Sequence, residues 1–181
     1  KFPFRIGLNF TNGDRDVKKL VLAIGLAMVL SGCASQSNSW KYPQPVTVSK
    51  TDYSITASFS CTTTFGQKEC TDLSVSVTNK SSEALKIDWN DSALAWGTNS
   101  SQLLPDGIRF IDATKIKPDT IVPPGMTIQK VVTPADNVYF DSMITNSWQK
   151  KLITPNNYSL YLQMKVGSQD KSETLQLPVT Q

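Results

Sequence analysis

Tyr53-Ser54-Ile55-Thr56-Ala57-Ser58-Phe59-Ser60-Cys61 decides how this chain folds: apolar or aromatic side chains stand at every odd position and small polar ones at every even position. A repeat of two belongs to an extended strand, whose successive side chains face opposite sides. The stretch therefore predicts a strand with one buried and one wetted face. The same beat recurs further along. Leu73, Val75 and Val77 alternate with Ser74, Ser76 and Thr78, and Leu85, Ile87 and Trp89 with Lys86 and Asp88. Tyr158, Leu160, Leu162, Met164 and Val166 alternate with Ser159, Tyr161, Gln163 and Lys165, and Leu175, Leu177 and Val179 repeat the pattern once more. Turn-forming clusters separate these runs: Asn79-Lys80-Ser81-Ser82, Pro105-Asp106-Gly107, Pro123-Pro124-Gly125, Pro155-Asn156-Asn157 and Gly167-Ser168-Gln169-Asp170. No sustained helical period follows residue 45, though short helical turns fit around 91–96 and 142–150. About seven such strands predict an all-β fold, an antiparallel β-sandwich of immunoglobulin-like type over 46–181.

The beat fails between 89 and 125, where Asn, Asp, Ser and Pro are frequent. This stretch reads as a long irregular excursion, and long loops often carry function. Trp89 keeps the register of Leu85 and Ile87 and is expected in the core. Trp96, Leu103, Leu104 and Trp148 are the candidate partner-binding residues, the first three expected in an exposed apolar patch and Trp148 expected to cap one end of the sandwich; tryptophan is enriched where proteins bind one another. Asp88, Asp91, Asp106 and Asp112 lie in or beside the excursion. They leave open a calcium site built with carbonyl help, although turn formation explains them more simply.

The chain has three cysteines and no histidine. Cys61 and Cys70 are expected to form a disulfide across the loop 62–69, worth about 2–3 kcal/mol by chain-entropy reckoning. Without histidine a zinc site is poorly served, and a Ser–His catalytic pair is excluded. The sequence has no G-x-S-x-G elbow and no phosphate-cradling glycine loop. No catalytic residue, metal ligand or cofactor is assigned, and the chain is read as non-enzymatic. An unrecognised hydrolase is the least favoured reading.

The amino-terminal part differs in kind. Val17-Lys18-Lys19 is a basic start, Leu20–Leu30 is an eleven-residue apolar run, and Ser31-Gly32 supplies small residues before Cys33. That layout is an export signal over 17–32, too short to span a bilayer. Leu30-Ser31-Gly32-Cys33 resembles the lipobox of bacterial lipoproteins processed by signal peptidase II. The resemblance implies cleavage between Gly32 and Cys33, with diacylglycerol and an acyl chain added to Cys33. Ala34 and Ser35 follow where an Asp commonly retains such proteins in the inner membrane. The resemblance therefore implies the outer membrane, facing the periplasm, as the favoured location in the cell envelope. Asp14 and Asp16 are unusual ahead of a basic start, so residues 1–16 are expected to be upstream sequence with translation beginning at Val17. Residues 33–45 are expected to be the lipidated cysteine and a flexible tether, with Trp40 and Tyr42 either docked on the domain or near the membrane interface.

The net charge of +3 arises within residues 1–32, which hold five basic and two acidic side chains; the remainder has thirteen of each. A neutral domain gives no basis for nucleic-acid binding. The runs Val77–Ser81, Ile87–Ser92 and Ile121–Gly125 resemble a group of uncharacterised putative bacterial lipoproteins over about residues 70–140, a likeness that implies no activity. The expected role is a lipid-anchored envelope module that binds another protein, with calcium or small-ligand binding by the Asp-rich loops as the alternative.

Overall fold

The structure, a computed structural model, describes residues 40–181. The expectations for residues 1–16, for the signal at 17–32 and for Cys33 lie outside the described residues. Eleven strands occupy the rest: β1 Val46–Ser49, β2 Tyr53–Thr64, β3 Gln67–Asn79, β4 Leu85–Trp96, β5 Asn99–Pro105, β6 Thr120–Val122, β7 Thr127–Pro134, β8 Val138–Asp141, β9 Ser147–Lys150, β10 Asn156–Val166 and β11 Gln169–Val179. Seven of them have seven residues or more; β1, β6, β8 and β9 are short additions. The described helical pieces are two single 3-10 turns, Phe110–Asp112 and Ala135–Asn137.

Every pairing is antiparallel, and one continuous path runs β1-β2-β3-β7-β5-β4-β10-β11. It folds into two layers because β5 serves both. Its first half pairs with β4 (Ala93↔Gln102 to Trp96↔Asn99), and its second half pairs with β7 (Leu103↔Pro134 to Pro105↔Val132). A strand that changes sheets makes a corner of the sandwich. β2-β3-β7 then stand as strands A, B and E of an immunoglobulin domain, and β4-β10-β11 as C, F and G. Two details fit that frame. Trp89 on β4 is fully buried, as the tryptophan of strand C is in antibody domains. Tyr158, near the start of β10, donates its hydroxyl to the Thr154 carbonyl at 3.0 Å, the tyrosine tie that closes the corner before strand F.

The core lies between the layers and takes the apolar set of each alternating strand. Ile55, Leu73, Val77, Leu85, Ile87, Leu160, Leu162 and Leu177 are all completely buried. The wet faces carry the Ser, Thr, Gln and Lys partners, as the period of two requires.

Three expectations need correction. The excursion 89–125 is about half strand, since it holds the end of β4 and all of β5 and β6, and it is irregular only from 106 to 119 and at its short turns. No helical turn forms at 91–96, which belongs to β4, and 147–150 is β9. The beat is lost because Asp88 pairs with Gln163 and Ala93 with Tyr161, so residues 89–92 bulge opposite Leu162 alone. A bulge offsets the alternation without ending the strand. The tether also ends earlier than 45. Lys41 bridges to Thr180, and buried Tyr42 donates to the Ile153 carbonyl at 2.9 Å, so the chain is docked from Trp40 onward.

The three runs that carry the lipoprotein likeness meet in space. Asn79, fully buried at the end of β3, donates to the carbonyls of Glu83 and Val122, and its own carbonyl accepts from Gly125 in the Pro123-Pro124-Gly125 turn. β6 meanwhile pairs with β4 at Leu85–Ile87. These residues close the end of the sandwich opposite Trp40.

Candidate functional site

β8 and β9 form a two-stranded sheet of their own, inserted between β7 and β10, and among the described residues no other strand pairs with either outer edge. In immunoglobulin terms it decorates the E–F connection. A hairpin of four-residue strands is marginal alone and must be held by the body. Asp72 does much of that work. It is nearly buried on β3, takes Lys150 Nζ at 2.7 and 2.9 Å, accepts from Thr71 Oγ1 at 2.9 Å, and is also bonded by Thr133 Oγ1. The 3-10 turn before β8 is fixed by Asp136 N–H donating to Ser101 Oγ at 3.0 Å. At the tip, the Asp141 carboxylate accepts the N–H groups of Met143, Ile144 and Thr145. Those hydrogen bonds, the one from Ile144 foremost, hold its carboxyl below the ordinary aspartate range.

The side chains this hairpin displays are apolar. Met143 and Ile144 are about nine-tenths exposed, while Tyr139, Phe140 and Trp148 are roughly half exposed. Trp148 stands edge-on to Phe140 with ring centres 5.5 Å apart, and to Phe110 at 6.2 Å. Ile111 and Ile116, in the connection that carries Phe110, are also exposed. A group of this size and openness is unusual on a surface that has no partner. At the hairpin's root a cleft of about 600 Å³ opens, lined by Trp40, Trp96, Tyr139, Lys150 and Lys151 among others, with Tyr158 behind.

The candidate residues separate accordingly. Trp148 is at the centre of the exposed group. Trp96 ends β4 half-buried, 5.9 Å from the Tyr158 ring, and lines the cleft rather than an open patch. Leu103 and Leu104 are buried, which corrects the expected patch around them. The second half of the corner strand, Leu103 to Pro105, is buried on both faces, so two adjacent leucines that looked exposed serve packing. Cys61 and Cys70 face one another across β2 and β3 and are bridged. The loop expected between them is a paired hairpin turning at Phe65-Gly66.

The carboxylates do not converge. Asp88 closes the β4 bulge, accepting from the N–H groups of Asn90 and Asp91, while Asp106 pairs with Lys130 and Asp112 with Arg109 and Lys115. Asp91 and Asp170 share a pocket of about 130 Å³ with Asp88, but Lys86 and Lys165 line it too. Among the described residues no three His, Cys, Asp or Glu side chains gather where a metal ion could sit. Ser147 and Lys150 have the S-x-x-K spacing of some serine acyl-enzymes. An extended strand turns residues three apart to opposite faces, and Lys150 is committed to Asp72 while Ser147 bonds Thr145 and Gln149.

Sequence reasoning missed Phe140, Met143, Ile144 and the Asp72–Lys150 tie. The available signal was the pairing of adjacent apolar residues, Tyr139-Phe140 and Met143-Ile144, in a stretch with no period. Among the described residues no helix is long and apolar enough to cross a membrane. No protein-family model matches the chain, and no curated protein matches it significantly.

Proposed function

We propose that this chain is a lipid-anchored bacterial envelope module, non-enzymatic, that binds another envelope protein through the β8–β9 hairpin. The observation that carries the binding part is the exposed apolar group of Phe140, Met143, Ile144 and Trp148 on a sheet whose outer edges no other described strand pairs. Aromatic anchors beside unpaired backbone suit the addition of an extended segment from a partner, whose main chain bonds the edge while its side chains meet the rings. The anchoring part rests on the signal and lipobox at 17–33, and Ala34-Ser35 favours the outer membrane, periplasmic side.

Photo-crosslinking in the native host tests the reading on the full chain. A photoreactive residue at position 140 is expected to give one dominant protein adduct, and the same residue at position 176, exposed on β11, none. Equal or absent adducts at both positions overturn the binding surface. Palmitate labelling that persists in Cys33→Ser overturns the anchor.

A further inference from the structure

Phe65 is the least expected residue of the fold. It sits in the two-residue turn between β2 and β3 with φ of 49°, followed by Gly66 at 78°. Turns with positive φ at both positions favour Asn-Gly, because a bulky side chain is strained there. The ring is fully exposed, so packing within the chain does not compensate for the strain. The hairpin below it is stapled by Cys61–Cys70 and paired to the last residue, Thr64 opposite Gln67. An aromatic ring is thus held out in water on a braced support.

Its position supplies the occupant. The strand registers place the Phe65 turn at the same end of the sandwich as the docked segment 40–42, for Lys68 Nζ lies 5.7 Å from the centre of the Tyr42 ring and Lys41 bridges to Thr180. Cys33 lies seven residues before Trp40. Seven residues span at most about 25 Å when fully extended. Exposed Lys41, Lys68 and Lys151 belong to this end, with half-buried Glu69 and exposed Asp136 the nearby acids. An exposed aromatic ring flanked by lysines is the side-chain set that suits a lipid–water interface.

Resting on the lipid-anchor reading, we infer that Phe65 is a second membrane contact: the stapled β2–β3 turn inserts its ring among the lipids that hold the Cys33 anchor, with the lysines meeting anionic headgroups. One acylated site leaves a domain free to swivel, whereas two contacts orient it. The β8–β9 hairpin is then presented at a set height from the membrane.

The test uses the full processed chain, isolated with its lipid and placed in phosphatidylethanolamine–phosphatidylglycerol vesicles, with and without brominated acyl chains. Mass spectrometry first reads the acylation of Cys33. In Phe65→Trp, the emission added over the parent is expected to be blue-shifted and quenched by acyl-chain bromine. Added emission that stays at the wavelength of water-exposed indole and is unquenched, in vesicles that carry the acylated protein, overturns the second contact and leaves the anchor standing. A chain without lipid on Cys33 overturns both. Phe65→Asn separates a membrane role from a packing role. It is expected to raise Tm by roughly 2–4 °C by relieving the turn, and a fall in Tm would mean that Phe65 supports the fold and would overturn the inference.

Discussion

Two groups of aromatic rings lie a short distance apart along this chain, built alike and placed in opposite surroundings. In the first, Tyr42, Phe59, Tyr158 and Trp96 form a row with ring centres 5.4–5.9 Å apart at the end of the core. In the second, Phe110, Trp148 and Phe140 meet at 5.5–6.2 Å on the surface. Tilted ring contacts contribute similarly in both places. The difference is burial and polar anchorage. The first group is largely withdrawn from water, and its two tyrosine hydroxyls donate to the backbone of the 153–154 corner. The second is held through one ion-paired carboxylate and a capped turn, with its rings left wet. Identical ring chemistry thus stabilises the fold in one case and remains free for a partner in the other.

The sharpest way to break this comparison is to remove one ring from the buried row. Tyr158→Ala deletes a side chain that touches Phe59 and Trp96 and is expected to cost about 3–4 kcal/mol in urea unfolding. Tyr158→Phe keeps the ring and loses only the bond to Thr154, at a cost of about 1 kcal/mol. A loss under about 1 kcal/mol for the alanine variant would mean that the row is as dispensable as the surface group.

The core as a whole, which includes Tyr53 at its other end, and the hairpin also part in their response to pH. Burial pushes the hydroxyls of Tyr42 and Tyr158 above the ordinary tyrosine value, and burial with a bond to Glu173 pushes Tyr53 up to about 12. A folded-state value above the unfolded one gives stability that is complete below about pH 10 and is lost as pH rises toward 12. Asp141 runs the other way. Its value is depressed in the fold, so its contribution is present above the ordinary aspartate value and is lost as acid protonates it. Alkaline titration is therefore expected to destabilise the whole domain in urea unfolding, by roughly 2–3 kcal/mol from Tyr53 alone, and Tyr53→Phe to flatten that decline. Acid below the ordinary aspartate value is expected to lower the exchange protection of the Met143 and Ile144 amides before the rest of the domain loses its own. Alkaline and acid effects confined to the same region would dissolve the distinction.

How far all this was legible in the sequence follows the same division. Strands with one wet face announce themselves, so the alternating stretches of β2, β3, β10 and β11 were readable, as was the burial of Trp89, while the strand ends at 62–69 and 169–174 were not. The beat is lost where geometry is set by distant partners. Four residues bulge at 89–92 because Asp88 and Ser92 bond within the bulge, and the second half of β5 is buried on both faces because the strand changes sheets. Local composition read the first as loop and the second as patch. Segment 40–45 is rich in proline, as a tether is; it is docked by distant partners, Lys41 by Thr180 and Tyr42 by Ile153, 111 residues away. Of the site, Trp148 was visible from its residue type alone. Its neighbours were not, because the pairing of β8 with β9 and the tie to Asp72 are tertiary facts. Phe65 was hidden for a related reason: what read as a disulfide loop is a ladder, and only a ladder makes its tip a strained turn.

The smallest expected effect is the most discriminating. Trp148→Ala removes the largest ring of the surface group, a change that in a core costs several kcal/mol. Here the ring is 42% exposed and touches two other exposed or half-buried rings, so truncation opens no enclosed cavity. The expected loss in urea unfolding is about 0.5–1 kcal/mol, chiefly from the two ring contacts. The partner adduct formed from position 140, by contrast, should be lost, because an interface concentrates its energy in such a ring. A loss of 3 kcal/mol would place Trp148 in a second core and make the hairpin structural. A small loss together with an unchanged adduct would keep the hairpin dispensable to the fold and move recognition onto Met143, Ile144 and the open strand edges.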